Sequence, residues 1–133
     1  MILLDTHIWI WHLADRRSLS GEARETIDRI VHKNRPRSIL VSAISVWELY
    51  MLIKKNRLVL TVPPASFITN TRRDPVMGIV PVDDTIARRS AELPDLHADP
   101  ADRMILATAQ ELGLTIISRD ARFPEYDVAP VVW

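Results

Sequence analysis

Cysteine is absent from the 133-residue sequence, and only three glycines occur in it. Without cysteine there is no disulfide framework, no cysteine-ligated zinc site and no thiol nucleophile. The glycines and the nine prolines are scattered, and no repeat, low-complexity tract or linker divides the chain. With 47% hydrophobic residues, a chain of this length can build one core. We therefore expect a single domain over residues 1–133.

An excess of either charge is also missing, because 17 Lys and Arg residues balance 17 Asp and Glu residues. The chain is neither a basic nucleic-acid tail nor an acidic disordered segment, so local clusters must bind any polyanion. The apolar start from Met1 to Leu4 meets Asp5 without the basic region of a secretion signal. No apolar run approaches the roughly 20 residues that cross a bilayer. We expect a cytoplasmic protein without a membrane segment.

Short apolar runs rich in β-branched residues predict five strands. The runs are Ile2 to Leu4, Ile39 to Val41, Gly78 to Val82, Thr115 to Ile117 and Val128 to Val132. Longer, helix-like stretches separate them. Because each parallel connection needs a crossover long enough to be a helix, this alternation predicts an α/β domain. Its mostly parallel sheet is expected to be covered on both faces.

Capping residues predict where the helices begin and end. The expected helices run from a cap at Ser20 to about Lys33, from Ser42 to about Lys55, and from Asp83 or Asp84 to about Leu93. Pro63 and Pro64 indicate a loop that leads into another short helix. The best-defined helix has Asp99 at the N-cap, Pro100 at the first helical position and Gly113 as its stop.

Acidic residues follow two of the predicted strands. Asp5 ends the first strand, and Asp120 comes shortly after Ile117. Ligand sites in parallel sheets gather outside the carboxyl ends of strands, so both acids overhang one crevice if their strands are neighbours. For either acid alone, helix capping or turn formation is the more common role.

Glu48 is the only charged residue in the apolar stretch from Ala43 to Ile53. A helix that is apolar nearly all round is expected to be largely buried. A carboxylate in that setting needs a cation or a metal ion beside it. Two alternatives stay open: an ion pair with an arginine, and exposure on the narrow polar face that Glu48 shares with Ser45 and Lys55.

Asp99 and Asp102 lie three residues apart and therefore face the same side of the last helix at its N-terminus. Backbone N–H groups and the helix dipole stabilise negative charge there. Asp99 fits the N-cap, which leaves Asp102 as the freer candidate for chemistry. An acid at the third helical position also stabilises a helix start without any chemistry.

Four motifs of this chain resemble those of PIN-domain proteins in residues, order and spacing. The resemblance is to VapC-type toxin ribonucleases of type II toxin-antitoxin systems in particular. The motifs are Asp5-Thr6-His7, Ser45-Val46-Trp47-Glu48-Leu49, His97-Ala98-Asp99-Pro100-Ala101-Asp102-Arg103 followed by Ala107-Thr108-Ala109, and Ser118-Arg119-Asp120. The resemblance runs from the first strand to about Phe123. The last motif usually has Thr where this chain has Ser118, an exchange that keeps the hydroxyl group.

The resemblance implies a PIN-like three-layer fold with a mostly parallel, five-stranded sheet flanked by helices. The family's four acids fall on Asp5, Glu48, Asp102 and Asp120, in a pocket that binds Mg²⁺ or Mn²⁺. Asp99 stays a second candidate for the third position. Hard divalent cations prefer oxygen ligands, and such a cation activates water for phosphodiester hydrolysis. The family reaction leaves a 5′-phosphate and a 3′-hydroxyl group on the RNA products.

Other residues are expected to support this site. The hydroxyl groups of Thr6 and Ser118 are placed to orient carboxylates or water. Arg103 and Arg119 are candidates for contacting phosphate, and the more common alternative for each is a solvated side chain that points away from the site. Three basic clusters are candidates for tracking an RNA backbone, with solvated helix ends and loops as the alternative. They comprise Lys33, Arg35 and Arg37, then Lys54, Lys55 and Arg57, and then Arg72 and Arg73. The four histidines form no recognisable metal-binding pair and are left out of the predicted site.

The resemblance also implies partners. They are an RNA substrate, a second copy of the chain in a homodimer, and a VapB-type antitoxin whose C-terminal segment covers the groove near the acids. The apolar helix around Glu48 fits a second buried surface, and it fits burial within one subunit equally well.

Two other functional classes compete with the nuclease. A receiver or small phosphatase also combines strand-end acids with Mg²⁺. All three lysines precede the later strands, however, so the late lysine that such sites use against phosphate is missing. Asp5-Thr6-His7 also lacks the second Asp of a phosphatase loop. A non-catalytic RNA-binding or partner-binding module is the second alternative. Stabilisation by metal separates the nuclease from the binding module, because only an assembled four-acid pocket gains stability from a divalent cation.

Overall fold

One sheet of five strands forms the centre of the computed structural model, which describes residues 1–133. In chain order the strands are β1 (Ile2–Leu4), β2 (Ile39–Ser42), β3 (Met77–Val80), β4 (Thr115–Ile117) and β5 (Val131–Val132). Across the sheet the order is β3-β2-β1-β4-β5, and every neighbouring pair is parallel. The predicted α/β class is confirmed, and the sheet is parallel throughout.

Six α-helices connect the strands. They are α1 (Thr6–Ala14), α2 (Gly21–Lys33), α3 (Ala43–Lys54), α4 (Ala65–Arg73), α5 (Asp84–Glu92) and α6 (Pro100–Leu112). The side chains of Ser20, Ser42, Asp83 and Asp99 each accept a backbone N–H from the first turn of their helix, as predicted. Gly113 ends α6 in the left-handed conformation, with φ of 65°. None of these helices is both long enough and apolar enough to span a membrane.

Two predicted strands are shorter than expected, and proline explains both differences. β3 ends at Val80 because Pro81 follows it, and β5 begins only at Val131 because Pro130 precedes it. Proline has no N–H group to donate to a neighbouring strand. The carbonyl group of Pro130 still accepts a hydrogen bond from the N–H of Ile116 at 2.8 Å.

Side chains from the two faces of the sheet form two separate apolar clusters. Leu4 and Val41 point into the cluster that α1 to α4 cover, whereas Leu3 and Leu40 point into the cluster covered by α5 and α6. Successive residues of a strand point to opposite faces, so each short apolar run supplies both clusters. The predicted three-layer arrangement follows from this alternation.

The strand order reverses beside β1. The chain passes from β1 to β2 and β3 on one side and then returns to place β4 on the other side. Leu4 pairs with Ile117 in register, and the N–H of Asp5 donates to the carbonyl oxygen of Ile117 at 3.0 Å. The condition under which Asp5 and Asp120 share one crevice, that the first and fourth strands are neighbours, is therefore met. A crevice at the carboxyl ends of such strands is the usual ligand position in this kind of sheet.

Helix α3 is less buried than its sequence predicts. Only Ser45 and Leu49 are fully buried on it, while Trp47 is 55% exposed and Tyr50 is 42% exposed. The expectation of a largely buried helix is therefore wrong for the single chain. The reason is that side chains such as Val46 and Leu52 pack only partly against the core, while Trp47 and Tyr50 lie on the outer side of α3 and meet solvent.

Candidate metal centre

A cleft of about 450 Å³ lies at the carboxyl ends of β1 and β4. Five carboxylate side chains line it: Asp5, Glu48, Asp99, Asp102 and Asp120. They come from the end of β1, the middle of α3, the start of α6 and the turn after β4. The fold thus brings all four predicted acids and the additional candidate into one cleft.

Asp5 is held by hydrogen bonds on both carboxylate oxygens. Oδ1 accepts the N–H of Thr6 at 2.7 Å, and Oδ2 accepts the hydroxyl group of Ser118 at 2.7 Å. Burial raises the pKa of Asp5 despite these two bonds, which favour the charged form. The position of this carboxylate is therefore fixed both by the helix that it begins and by the segment after the neighbouring strand.

Glu48, Asp99 and Asp102 form the opposite side of the cleft. One ligand oxygen from each lies within 4.8 Å of the other two. Burial raises the pKa of Glu48, and the nearby carboxylates of Asp5 and Asp99 raise it further. Asp99 also caps α6, since its Oδ1 accepts the N–H of Ala101 at 2.9 Å. The capping role and the position in the acidic cluster are thus combined in one residue.

Asp102 is surrounded by like charge. It is 8% exposed, and burial raises the pKa of its carboxyl group to about 8, with the four neighbouring carboxylates adding to the rise. The Nε2 atom of His97 lies 3.4 Å from its Oδ2, and the hydroxyl oxygen of Tyr126 lies 2.9 Å from Nδ1 of the same ring. Near neutral pH the carboxyl group keeps its proton unless a cation offsets the charge around it.

Asp120 differs from the other acids because an arginine neutralises it. Nε of Arg122 lies 3.0 Å from Oδ1 of Asp120, and Nη2 lies 2.6 Å from Oδ2. This hydrogen bonding lowers the pKa of Asp120. The same Nη2 atom is 3.5 Å from Oδ2 of Asp102. One guanidinium group therefore faces two of the predicted ligands.

Both predicted hydroxyl groups lie at the site and link its parts. Ser118 donates to Asp5 and accepts the N–H of Asp120 at 3.1 Å, so it connects the acids that follow β1 and β4. Thr6 donates to the hydroxyl oxygen of Ser45 at 2.8 Å, which connects α1 to the helix of Glu48.

The two predicted arginines have different positions. Arg119 lines the cleft, and its guanidinium carbon lies 5.4 Å from the centre of a Trp11 ring. Arg103 points away: its Nη2 donates to the carbonyl oxygens of Ser90 and Leu93, each at 2.8 Å. These groups belong to the end of α5, so the structure gives Arg103 a helix-end contact in place of the expected phosphate contact.

One of the three basic clusters lies beside the acids. A second groove of about 250 Å³ shares Glu48 and Asp99 with the cleft, and Lys55 and Arg57 line it. The other clusters come just before β2 and β3 in the chain. They are therefore at the amino ends of those strands, whereas the cleft lies at the carboxyl ends of the sheet.

Several residues at the site carry no functional prediction from the sequence, among them Ser45, His97, Arg122 and His7, which lines the cleft. Ser45 and His97 belong to the second and third motifs, and this membership is the sequence feature that points to them. Arg122 lies two residues beyond the last motif acid. Its contact depends on the turn after β4, in which its own N–H donates to Oδ1 of Asp120 at 2.9 Å.

The donor set of the cleft fits a hard divalent cation. Carboxylate oxygens are the ligands that Mg²⁺ and Mn²⁺ prefer. Only two arginines line the cleft with its five carboxylates, so the protein supplies less positive charge than the acids require. The buried Nε2 atom of His97, beside Asp102, also has no hydrogen-bond partner. The structure therefore contains an incompletely compensated oxygen cluster of the kind that binds such a cation.

Comparison with known proteins identifies the family. The PIN domain model matches residues 2–129 of this chain. Ribonuclease VapC22 of Mycobacterium tuberculosis is 33% identical over 123 residues, which cover 91% of this chain and 88% of that protein.

Two solved structures are similar in fold. A toxin-antitoxin complex from Klebsiella pneumoniae matches with 24% identity and a TM-score of 0.64, over 100% of this chain and 97% of that one. VapBC2 from Rickettsia felis, bound to a DNA fragment from its promoter, matches with 15% identity and a TM-score of 0.70, over 99% and 98% of the two chains. At these identities both structures support the fold alone. The family model spans nearly the whole sequence, and the chain therefore belongs to the PIN domain family.

Proposed function

We propose that this chain is a divalent-metal-dependent endoribonuclease that acts as the toxin of a VapBC-type toxin-antitoxin pair. The observation that carries the proposal is the convergence of Asp5, Glu48, Asp102 and Asp120 on one cleft at the strand ends. The 33% identity to a VapC ribonuclease supports it. Mg²⁺ or Mn²⁺ is the proposed cofactor, since the ligand set consists of carboxylates.

Two groups of carboxylates in the cleft would bind the cation. Asp5 offers a preoriented carboxylate, because Thr6 and Ser118 fix both of its oxygens. Glu48, Asp99 and Asp102 offer oxygens that are already close together. A bound cation supplies Lewis-acid activation of water and offsets negative charge in the phosphodiester transition state.

Proton binding at Asp102 is linked to this chemistry. Its carboxyl group, with a pKa raised to about 8 by burial and by neighbouring acids, loses its proton when positive charge enters the cleft. A carboxylate of the cluster that is not a direct ligand is then available to orient the attacking water. Without positive charge, five clustered acids repel an RNA phosphate, so metal-free protein is expected to bind RNA weakly.

The surroundings of the cleft suit an RNA strand. Arg119 lies at its rim, and Lys55 and Arg57 line the adjoining groove. These cations would contact backbone phosphates on either side of the scissile bond. The same groove has an apolar wall that includes Trp47 and Met51, and we propose it as the site that the C-terminal segment of an antitoxin covers.

A homodimer is also proposed. Tyr50, which does not line that groove, is 42% exposed on α3, and a second copy of the chain would cover this apolar surface. Sedimentation velocity on the purified chain distinguishes a dimer from a monomer.

The experiment that tests the proposed function uses protein freed of antitoxin and a mixed RNA pool. Cleavage is compared in Mg²⁺, Mn²⁺ and EDTA for the wild type, for Asp5→Asn, and for Asp95→Asn as a matched control. Asp95 is an acid whose side chain is fully exposed outside the cleft. We expect cleavage that needs both metal and Asp5 and that survives in the control.

Other outcomes identify the alternatives. Stabilisation by metal without cleavage of any RNA in the pool would indicate an intact metal site and a nuclease with a narrow target. Cleavage that persists in EDTA and in Asp5→Asn would overturn the metal-dependent mechanism. Absence of both cleavage and metal binding would reject the acidic cluster as a metal site.

A further inference from the structure

The guanidinium group of Arg122 lies in the cleft beside two acids, Asp120 and Asp102. Its guanidinium group makes a two-pronged contact with Asp120, through Nε at 3.0 Å and Nη2 at 2.6 Å. Nη2 also reaches within 3.5 Å of Oδ2 of Asp102. The planar guanidinium fork matches the geometry of carboxylates and of phosphates alike.

The side chain of Arg122 has room to move. It is 51% exposed, and it stands in the turn between β4 and the short 3₁₀ helix Pro124–Tyr126. Its backbone is anchored separately, because its carbonyl oxygen accepts the N–H of Glu125 at 3.2 Å. Release of the guanidinium group therefore does not require the turn to unfold.

Comparison with the other arginines near the site shows that this placement is specific. Arg119 lines the same cleft but lies over a Trp11 ring. Arg103 is committed to the carbonyl groups at the end of α5. Arg122 is the arginine of this set that faces predicted metal ligands.

We propose that Arg122 is an internal counter-ion that competes with the divalent cation for Asp102 and Asp120, and that binds a phosphate of the RNA once the cation displaces it. The inference deepens the proposed function and rests on it. A guanidinium group and a divalent cation compete for the same carboxylate lone pairs and repel each other, so binding of one weakens binding of the other. Displaced from Asp120, the group remains tethered at the cleft, where the substrate phosphate arrives.

Metal affinity and RNA affinity test the two parts separately. Mn²⁺ binding is measured from the electron paramagnetic resonance signal of free Mn²⁺ for the wild type, Arg122→Ala, Arg122→Lys and Arg119→Ala. RNA binding is measured by fluorescence anisotropy with a labelled mixed-sequence 12-mer in saturating Ca²⁺, with the length of the RNA checked afterwards on a gel. Arg119→Ala controls for loss of positive charge at the same cleft.

We expect Arg122→Ala to bind Mn²⁺ about 5- to 20-fold more tightly than the wild type and to bind the RNA about 3- to 10-fold more weakly. Arg119→Ala is expected to change Mn²⁺ affinity by no more than about 2-fold, because its guanidinium group contacts a ring and not a carboxylate. Arg122→Lys keeps the charge without the planar fork, so an intermediate Mn²⁺ affinity is expected.

Effects of opposite sign on the two affinities distinguish this role from a structural one, since damage to the fold would weaken both. Unchanged or weaker Mn²⁺ binding in both Arg122 variants would overturn the competition. Unchanged RNA affinity would overturn the phosphate contact. If the wild type itself bound no Mn²⁺, the proposed metal site would fail, and this inference with it.

Discussion

The two sides of the acidic cleft are stabilised in different ways. On the strand side, Asp5 receives hydrogen bonds on both oxygens, and Asp120 receives the guanidinium group of Arg122. On the helix side, the nearest positive or ring nitrogen atoms to Asp102 are Nε2 of His97 at 3.4 Å and Nη2 of Arg122 at 3.5 Å. The chain itself supplies the hydrogen-bond donors that the strand-side carboxylates need. It does not supply enough donors for the carboxylates on the helix side.

This difference separates stability from function within one cleft. A carboxylate whose pKa is lowered by an arginine, as in Asp120, stabilises the fold without help. A carboxylate whose pKa is raised by burial and by other acids, as in Asp102, destabilises the metal-free protein at neutral pH. Functional sites often retain such unfavourable interactions because ligand binding relieves them.

The largest expected effect comes from Asp102→Asn. Loss of this carboxylate removes a proposed metal ligand, and we expect RNA cleavage to fall by at least about 100-fold. In the metal-free protein at pH 7.5 the buried carboxyl group of Asp102 must hold a proton well above its ordinary pKa. Asparagine removes that cost, so the free energy of unfolding is expected to rise by about 2 kcal/mol. Cleavage assays and urea denaturation measure the two effects.

Asp95→Asn is the control for this variant, and neither quantity is expected to change in it. A metal-free Asp102→Asn protein that is less stable than the wild type would show that the helix side is not under electrostatic repulsion.

The pH dependence of stability sharpens the comparison next. The pKa of Asp102 in the folded protein, about 8, is above its ordinary value of 3.8, so the folded state binds this proton more tightly than the unfolded state does. The favourable contribution is complete below about pH 4 and is lost as the pH rises toward 8. We expect the metal-free wild type to lose stability from pH 5 to pH 8, by up to about 1.4 kcal/mol per pH unit for this group.

Urea denaturation at several pH values measures this slope, with Asp102→Asn as the reference that lacks the group. The two curves are expected to converge toward pH 5. Saturating Mg²⁺ should flatten the curve of the wild type and leave that of the variant unchanged. Parallel curves across the whole range would contradict the assigned cause.

On the strand side, Ser118→Ala removes a hydrogen bond that Asp5 receives in a buried position. Because the partner carboxylate then lacks a donor, we expect the free energy of unfolding to fall by about 1–2 kcal/mol. Ser118→Thr keeps the hydroxyl group and is expected to retain most of the stability. Thermal and urea denaturation measure both variants, and equal stability of the alanine variant and the wild type would show that Asp5 is not held in this way.

Most of the fold could be predicted from local features. Ser20, Ser42, Asp83 and Asp99 cap their helices where the sequence indicates, since capping depends on only a few neighbouring residues. The meeting of Asp5 with the segment after β4 depends on the strand order, which local features left open. The early end of β3 at Val80 and the late start of β5 at Val131 depend on the proline residues beside them.

Side-chain direction at the site was harder to predict. Arg103 follows Asp102 on a helix, where successive side chains are about 100° apart, so one residue faces the cleft and the next contacts the end of α5. Arg122 lies two residues after Asp120 in a turn, and the bend of the backbone brings it back onto that acid. Sequence proximity to a proposed ligand therefore left the direction of Arg103 open and gave no indication for Arg122.

The smallest expected effect decides the role of Asp99, which belongs both to the cap of α6 and to the acidic cluster. Asp99→Asn keeps a capping oxygen and removes the charge, so we expect stability to change by no more than about 0.5 kcal/mol. If Asp99 is a metal ligand, Mn²⁺ affinity should fall about 3- to 10-fold. Asp83→Asn, the same change at the N-cap of α5, is the matched control and should leave Mn²⁺ affinity unchanged. Equal Mn²⁺ affinity in the wild type and Asp99→Asn would assign Asp99 to the cap alone, and the helix side would then present only Glu48 and Asp102 to the cation.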